Sequence, residues 1–334
     1  MSSSRTFESL KKRYLTLRKA KAVRVLRIQD EIVSEIRAFL KEEGFVEILA
    51  PIIGPVTDPG IRGAKQASID YYGARFKLMG STILYKQMMI SSIPKIFALS
   101  PNIRLESLET VRTLRHLTEF RQIDLEVAYD TYNDVMELGE RMLCHVITKI
   151  KQKCDAELKE QKRNLKEPRR PFKKYSYNQA LDILKNLGIH AKYGLEIPWE
   201  AEEALSKIHN EPFWITDFPV TARGFYYMKH EDNTGILKDF DLIYPEGFGE
   251  AVSGGEREYR HDKIIERMRR SGENASEYEW YLDMLKAGVP PSAGFGIGVE
   301  RLDSFAGFET FGMLCHFPKL LVFILYSFWR EFEI

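Results

Sequence analysis

Between Phe120 and Val127 the chain alternates: Phe120, Gln122, Asp124 and Glu126 share one parity, and Ile123, Leu125 and Val127 the other. Side chains of an extended strand point to opposite faces with a period of two, so this run predicts a strand that is aliphatic behind and chemically loaded in front. The preceding segment, IFALSPNIRLES (96–107), behaves alike if 102–106 is extended, with Arg104 and Glu106 on one face and Ile103 and Leu105 on the other. A solvated antiparallel face alternates in the same way, and composition separates the two readings. A solvated face favours Thr, Lys and Glu. Here Arg104, Glu106, Phe120, Gln122 and Asp124 bring a phosphate clamp, an acceptor for an amide edge, a stacking ring and a pair for an ammonium group. Those are the needs of a nucleotide beside an amino acid. The joining loop adds Arg112, Arg115 and His116, cations placed to hold a polyphosphate tail.

Two later segments carry related chemistry. In DLIYPEGFGEAVSGGEREY (241–259), Asp241 and Glu250 could share a hard cation, since Mg²⁺ in triphosphate sites sits on one or two carboxylates plus phosphate oxygens. Ser253 follows Glu250 by three residues, Gly254 and Gly255 let the backbone approach a ligand, and Arg257 offers a fork for a carboxylate. In PSAGFGIGVERLDSF (291–305), Gly294, Gly296 and Gly298 recur at every second position before Glu300 and Arg301. This predicts a strand bare on one face, open to a flat ligand, running into a helix. The spacing is not that of a GxGxxG dinucleotide fingerprint, and no βαβ unit surrounds it.

The rest of the chain supplies a frame. Val25, Ile28, Ile32, Ile36, Phe39 and Leu40 recur at three- and four-residue steps, predicting a helix over 18–43 that closes at Gly44. Phe45 to Ala50 reads as a short strand stopped by Pro51, and STILYKQMMISS (81–92) as a helix. Residues 131–164 are helical in period and 176–210 read as two short helices. EPFWITDFP, GFYYMKH and KDFDLIYP read as strands, and RNLKEPRRPFKK (163–174) as a solvated linker. Helices and strands mix without a βαβα rhythm, so the expected class is α+β on an antiparallel sheet flanked by helices. With 334 residues, 44% of them hydrophobic, and a net charge of +1, the chain can bury its own core. That balance gives no basic field for non-specific nucleic-acid binding and no attraction to a membrane surface. Cys144, Cys154 and Cys315, odd in number and without CxxC spacing, argue against a disulfide framework or zinc site and fit a cytoplasmic location. The N-terminus has no apolar signal segment, and LLVFILYSFW (320–329) is short of the roughly 20 residues a spanning helix needs.

Taken in order, these segments resemble the three signature motifs of class II aminoacyl-tRNA synthetases. GFVEILAP (44–51) is similar to the first, a dimer-interface helix and strand ending in proline; IRLES with RHLTEFRQIDLE is similar to the second; and GFGIGVERL is similar to the third. RHLTEF, QIDLE and SGGERE place the likeness in the aspartyl and asparaginyl branch. It covers most of residues 20–319, and implies one catalytic domain over 1–334 with a helical insertion near 131–210 and an atypical apolar tail at 320–334.

By position, the resemblance implies that Arg104 grips the α-phosphate of ATP, Glu106 binds the adenine amino group, and Phe120 and Arg301 cover the two adenine faces. His116 and Arg115 would hold the γ-phosphate, and Asp241 and Glu250 Mg²⁺. Gln122 and Asp124 would orient the amino acid, with Ser253, Gly254 and Arg257 alongside. STILYKQ keeps the lysine, Lys86, that aspartyl enzymes use on the aspartate side chain, but has Thr82 and Ile83 in place of Pro-Gln. Arg257 followed by Glu258 is of the asparaginyl type. An anticodon-binding barrel of about 100 residues would precede the core in a tRNA ligase, whereas the first motif here begins near residue 20. The set is similar to the archaeal asparagine synthetases related to asparaginyl-tRNA synthetase. It implies a homodimer through Gly44 to Pro51 that joins aspartate and ammonia using ATP, by way of β-aspartyl adenylate. The alternatives are a tRNA ligase without the anticodon domain and a non-catalytic paralogue.

Overall fold

A computed structural model describes residues 13–59, 65–106, 116–233 and 235–307. Arg112, Arg115, Cys315 and the 320–334 tail lie outside this set. The first long element is helix α1 (Ala20–Glu42), whose predicted apolar stripe is buried from Val25 to Leu40. Gly44 then takes φ +83°, the left-handed turn that a residue with Cβ resists. The chain continues into β1 (Val46–Glu47), which is shorter than the predicted strand.

Eight strands form the main sheet. They are β1, β5 (Lys95–Ile103), β6 (Glu119–Ala128), β7 (Lys173–Ser176), β8 (Phe213–Thr216), β9 (Asp239–Tyr244), β10 (Gly249–Arg257) and β11 (Ser292–Gly298). Their spatial order is β1-β5-β6-β11-β10-β9-β8-β7. The six central strands pair antiparallel, and the two edge pairings, β1 with β5 and β7 with β8, are parallel. A small second sheet joins β2 (Ile53–Gly54), β3 (Ser68–Tyr71) and β4 (Ala74–Leu78).

Alternation assigns the faces. Ile123, Leu125 and Val127 of β6 pack with Phe295 and Ile297 of β11 against α1, α3 (Tyr132–Lys153) and α9 (Val299–Gly307) in one apolar core. A capping box starts α3: the Thr131 hydroxyl accepts from the Asp134 N–H and the Asp134 carboxylate accepts from the Thr131 N–H. The front face is only partly covered. Helices α2 (Ile83–Met89), α7 (His261–Ser271) and α8 (Glu279–Ala287) bury a second cluster over its lower half. Two further helices, α5 (Tyr177–Asn186) and α6 (Trp199–Lys207), pack with β8 in a third.

One expectation is refined and one changes. The basic stretch 163–174 is a mostly exposed linker, but Leu165 and Phe172 within it are buried, and it feeds the edge strand β7. Charge density concealed two anchoring side chains. GFYYMKH is not a strand of the sheet; it makes isolated bridges, Tyr227 to Arg257 and Lys229 to Leu237, while its aromatics fill the cluster beneath α7 and α8.

Candidate functional site

The register aligns the loaded side chains in rows across the front face. Asn102, on β5, lies opposite Phe120, Ser100 opposite Gln122, and Gln122 opposite Gly298. The next row runs Asp124, Gly296, Ser253, Asp241 over four neighbouring strands. Below it lie Glu126, Gly294, Gly255 and Asp239. A register shift between Glu250 and Val252 matters here. Ser253 is three positions beyond Glu250, which would put them on opposite faces of a regular strand. One extra residue returns both to the front.

The uncovered part of this face is a cleft of about 820 Å³, the solvent at its open mouth included. Arg104, Glu106, His116, Phe120, Gln122, Glu250, Ser253 and Arg301 line it, so the structure gathers these eight sequence-predicted residues in one place. Strand β5 ends at Ile103, and Arg104 is held beyond it by its N–H on the Thr118 carbonyl at 2.9 Å and its Nε on the Gly80 carbonyl at 3.0 Å. Its guanidinium lies 5.1 Å from the Phe120 ring centre. Across the cleft, Arg301 Nη1 donates to the Glu250 carbonyl at 2.7 Å and lies 3.3 Å from Glu250 Oε1. Gln122 is fixed by Asn102 Nδ2, which donates to its Oε1 at 2.8 Å. Aromatic rings and guanidinium groups around a slot suit a flat base joined to phosphates.

Lys86, Asp124 and Arg257 lie under the covered half, outside the lining of the cleft. The Lys86 ammonium donates to Asp124 Oδ1 at 3.3 Å and the Leu125 carbonyl at 3.1 Å, and is 3.6 Å from Glu126 Oε2. Arg257 donates to Glu126 Oε1 at 3.0 Å and to the Gly294 carbonyl at 2.8 Å. Asp124 also accepts from Ser100, and Glu126 from Ser292 at 2.9 Å. Two cations thus meet two carboxylates in a buried, neutral quartet. Burial works against the charge of Arg257, but Glu126 beside it raises its pKa above the ordinary value. Removing one partner of such a pair costs about 3–5 kcal/mol.

The alternating glycines make room for the quartet. A Cβ at Gly294 would lie 2.2 Å from Glu126 Oε2, and one at Gly296 would lie 2.9 Å from Asp124 Oδ1. Neither is a bare platform; neighbouring carboxylates fill the gaps, and of the three glycines Gly298 alone lines the cleft. Gly254 is likewise a packing position, since a Cβ there would lie 2.5 Å from the Gly294 carbonyl.

Asp241 is drawn elsewhere. Its Oδ2 accepts from Arg223 Nη2 at 2.6 Å, and Arg223 also meets Asp239 at 3.2 Å and Glu196 at 3.0 Å. Burial pushes Asp239 up to about 8, against the opposing pull of Arg223. The donor set therefore fits Mg²⁺ in part: Glu250 lines the cleft, whereas Asp241 does not and is tied to a guanidinium. Among the described residues no three His, Cys, Asp or Glu side chains group as a metal site.

Of the lining residues that escaped the sequence reading, two carry chemistry. Trp199, at the start of α6, sets its ring edge-on to His116 with centres 4.2 Å apart. Arg223 comes from VTARGFYY, where aromatic residues suggested a strand. Its isolated charge before Gly224 was the available signal.

A mainly antiparallel sheet flanked by helices, with arginines and an aromatic ring around a cleft on its front face, defines a class II synthetase core. The chain belongs to the family of class II tRNA synthetases for D, K and N, whose model matches residues 6–319. Among its relatives, it is 37% identical to the aspartate–tRNA(Asp) ligase of Pyrococcus abyssi, covering 88% of this chain and 67% of that protein. It is 30% identical to the asparagine–tRNA ligase of Thermoplasma acidophilum, covering 88% and 68%. The crystal structure of asparaginyl-tRNA synthetase from Pyrococcus horikoshii with asparaginyl-adenylate superposes with a TM-score of 0.88 at 29% identity, covering 93% of this chain and 71% of that one. No helix among the described residues is long and apolar enough to cross a membrane.

Proposed function

We propose that the chain is one catalytic domain that activates aspartate with ATP and passes the acyl group to ammonia, releasing AMP, pyrophosphate and asparagine. The observation that carries the choice of aspartate is the arrangement of charge under the cleft. Lys86 and Arg257 lie together beneath the cleft, while Glu258, which marks the asparaginyl type, is bound at 2.8 and 2.9 Å by Arg260 and lines no part of the cleft. With Glu258 turned away, the acids that face the two cations are Asp124 and Glu126, and a substrate carboxylate that enters in exchange for one of these contacts keeps both cations paired, which an amide does not.

In this reading Phe120 and Arg301 hold adenine, Glu106 accepts from its amino group, Arg104 neutralises the α-phosphate and His116 with Arg115 takes the γ-phosphate. Mg²⁺ would sit on Glu250 with phosphate oxygens and supply further neutralisation. Gln122 and Asp124 orient the amino acid. The β-carboxylate oxygen attacks the α-phosphorus in line as pyrophosphate leaves. Ammonia then attacks the new acyl carbon, AMP leaves, and the nitrogen sheds a proton. Positioning and charge neutralisation suffice, without a side-chain nucleophile. Ile83, buried where aspartyl enzymes have glutamine, supports a changed ammonium site and so a reversed aspartate with its α-carboxylate on the floor.

Transfer to tRNA is the second reading, favoured by the activities for which the relatives are named. Purified protein is incubated with aspartate, ATP and Mg²⁺, with and without ammonium or tRNA, and AMP and asparagine are measured. Ammonium-dependent AMP release with asparagine formation is the expected result. Pyrophosphate exchange with asparagine but not aspartate would overturn the proposal.

A further inference from the structure

We propose that Arg223 is a further substrate-binding residue, which holds one carboxylate of the amino acid at the edge of the cleft, and that Asp241 positions this arginine instead of ligating a metal. The inference rests on the reading that the chain binds aspartate.

Lys86 and Arg257 already face Asp124 and Glu126 beneath the cleft. Arg223 lines the cleft together with Gln122 and Ser253, and its Nη1 reaches toward Ser253 Oγ. Its side chain is 3% exposed, so it is held in place by its surroundings. Phe218 lies under the guanidinium plane, 3.8 Å from ring centre to Cζ. Arg267 pins the loop from behind, donating to the carbonyl of Gly224 at 2.8 Å and that of Tyr227 at 3.0 Å.

A guanidinium has five N–H donors. Arg223 turns Nε toward Asp239, one Nη2 donor to Asp241, and Nη1 to Glu196 and, at 3.4 Å, to Ser253 Oγ. The Ser253 contact is the longest, and Ser253 lies on the cleft side. Exchanging it for a carboxylate oxygen, with the second Nη2 donor, gives the bidentate geometry that arginine favours. The row Asp124, Gly296, Ser253, Asp241 leads from the quartet to Arg223, with no side chain at Gly296 between them. In this inference one carboxylate of a short diacid lies toward the floor and the other on Arg223.

The same geometry explains why Asp241 is withdrawn from the cleft. Burial works against the charge of Arg223, but Asp241, Glu196 and Asp239 outweigh it and raise its pKa well above the ordinary value. Asp241 and Glu196 keep the fork charged and aimed.

Binding of aspartate, asparagine and isoasparagine, and of ATP across a Mg²⁺ series, is measured by calorimetry on the full chain and its Arg223→Lys and Asp241→Asn variants, with melting curves to verify folding. Lysine retains the charge and loses the fork. Arg223→Lys is expected to weaken aspartate about tenfold and ATP less than twofold. Of the two amides, the one lacking the carboxylate that Arg223 holds binds both proteins alike, a pattern that loss of structure would not produce. Asp241→Asn is expected to weaken aspartate while leaving the Mg²⁺ dependence of ATP binding unchanged. Unaltered aspartate affinity in Arg223→Lys, equal weakening of all three ligands, or a raised Mg²⁺ requirement in Asp241→Asn overturns the inference. If aspartate binding follows the expected pattern and ammonium leaves AMP release unchanged, the choice of ammonia fails and the role of Arg223 stands.

Discussion

Gly296 lies opposite Asp124, and a methyl group there would meet Asp124 Oδ1 at 2.9 Å and Gln122 Nε2 at 3.1 Å. Both neighbours are side chains, so the strand can persist while the two groups proposed to orient the amino acid move. Gly296→Ala should therefore cost about 1–3 kcal/mol of stability as an overpacked site. It should also weaken aspartate binding about tenfold or more, with ATP affinity nearly unchanged. Calorimetry with each ligand separates the effects, and wild-type aspartate affinity would remove Gln122 and Asp124 from the amino-acid site. The glycine period was readable in the sequence, but its meaning was not. A missing side chain announces a gap, and only the register between β6 and β11 shows that Asp124 and Glu126 fill it.

Among the elements, His209 joins α6 to the sheet edge. Its Nδ1 lies 2.7 Å from the Leu205 carbonyl, its Nε2 2.9 Å from the Tyr175 hydroxyl, and its ring stacks on Phe213 at 3.9 Å. A neutral ring satisfies both contacts, donating at Nδ1 and accepting at Nε2. Burial lowers its pKa below 6.5, with the Leu205 carbonyl opposing. The unfolded chain therefore takes the proton first as the medium is acidified. The stabilisation is full above pH 6.5 and is lost as pH falls through that value toward the lower folded one. Urea midpoints at pH 7.5 and 5.5 should fall further for the wild type than for His209→Gln; equal falls would show that the ring does not titrate with unfolding. Periodicity made α1, α3 and the alternating β6 legible because each buries one face. The bulge at Glu250–Val252 and the aromatic loop bearing Arg223 were not legible, because both follow from what packs against them. Trp199 was missed for the same reason: α6 was expected, but its approach to His116 depends on how the insertion folds back.

At the scale of the molecule, the edge of the sheet beside β1 presents unusual apolar surface. Leu49 is 99% exposed, and Val46, Ile52 and Ile53 are between 42% and 52% exposed. The segment falls within Gly44 to Pro51 and just beyond, where the resemblance implies contact with a second copy. In a two-fold interface each substitution acts twice, once from each protomer. Burying a leucine is worth about 1.5–3 kcal/mol relative to exposure, so losing Leu49 from both sides would weaken a dimer by about 3–6 kcal/mol. That corresponds to roughly two to four powers of ten in the dissociation constant. A lysine adds a desolvation cost and places like charges near the axis. Sedimentation equilibrium at micromolar concentration should give a dimer for the wild type and a monomer for Leu49→Lys. The melting temperature of the variant should then no longer depend on the concentration of the protein, since only an associating species gains stability by mass action. A wild-type chain that sediments as a monomer, or a variant that remains a dimer, would place the interface elsewhere and leave the exposed edge to another partner.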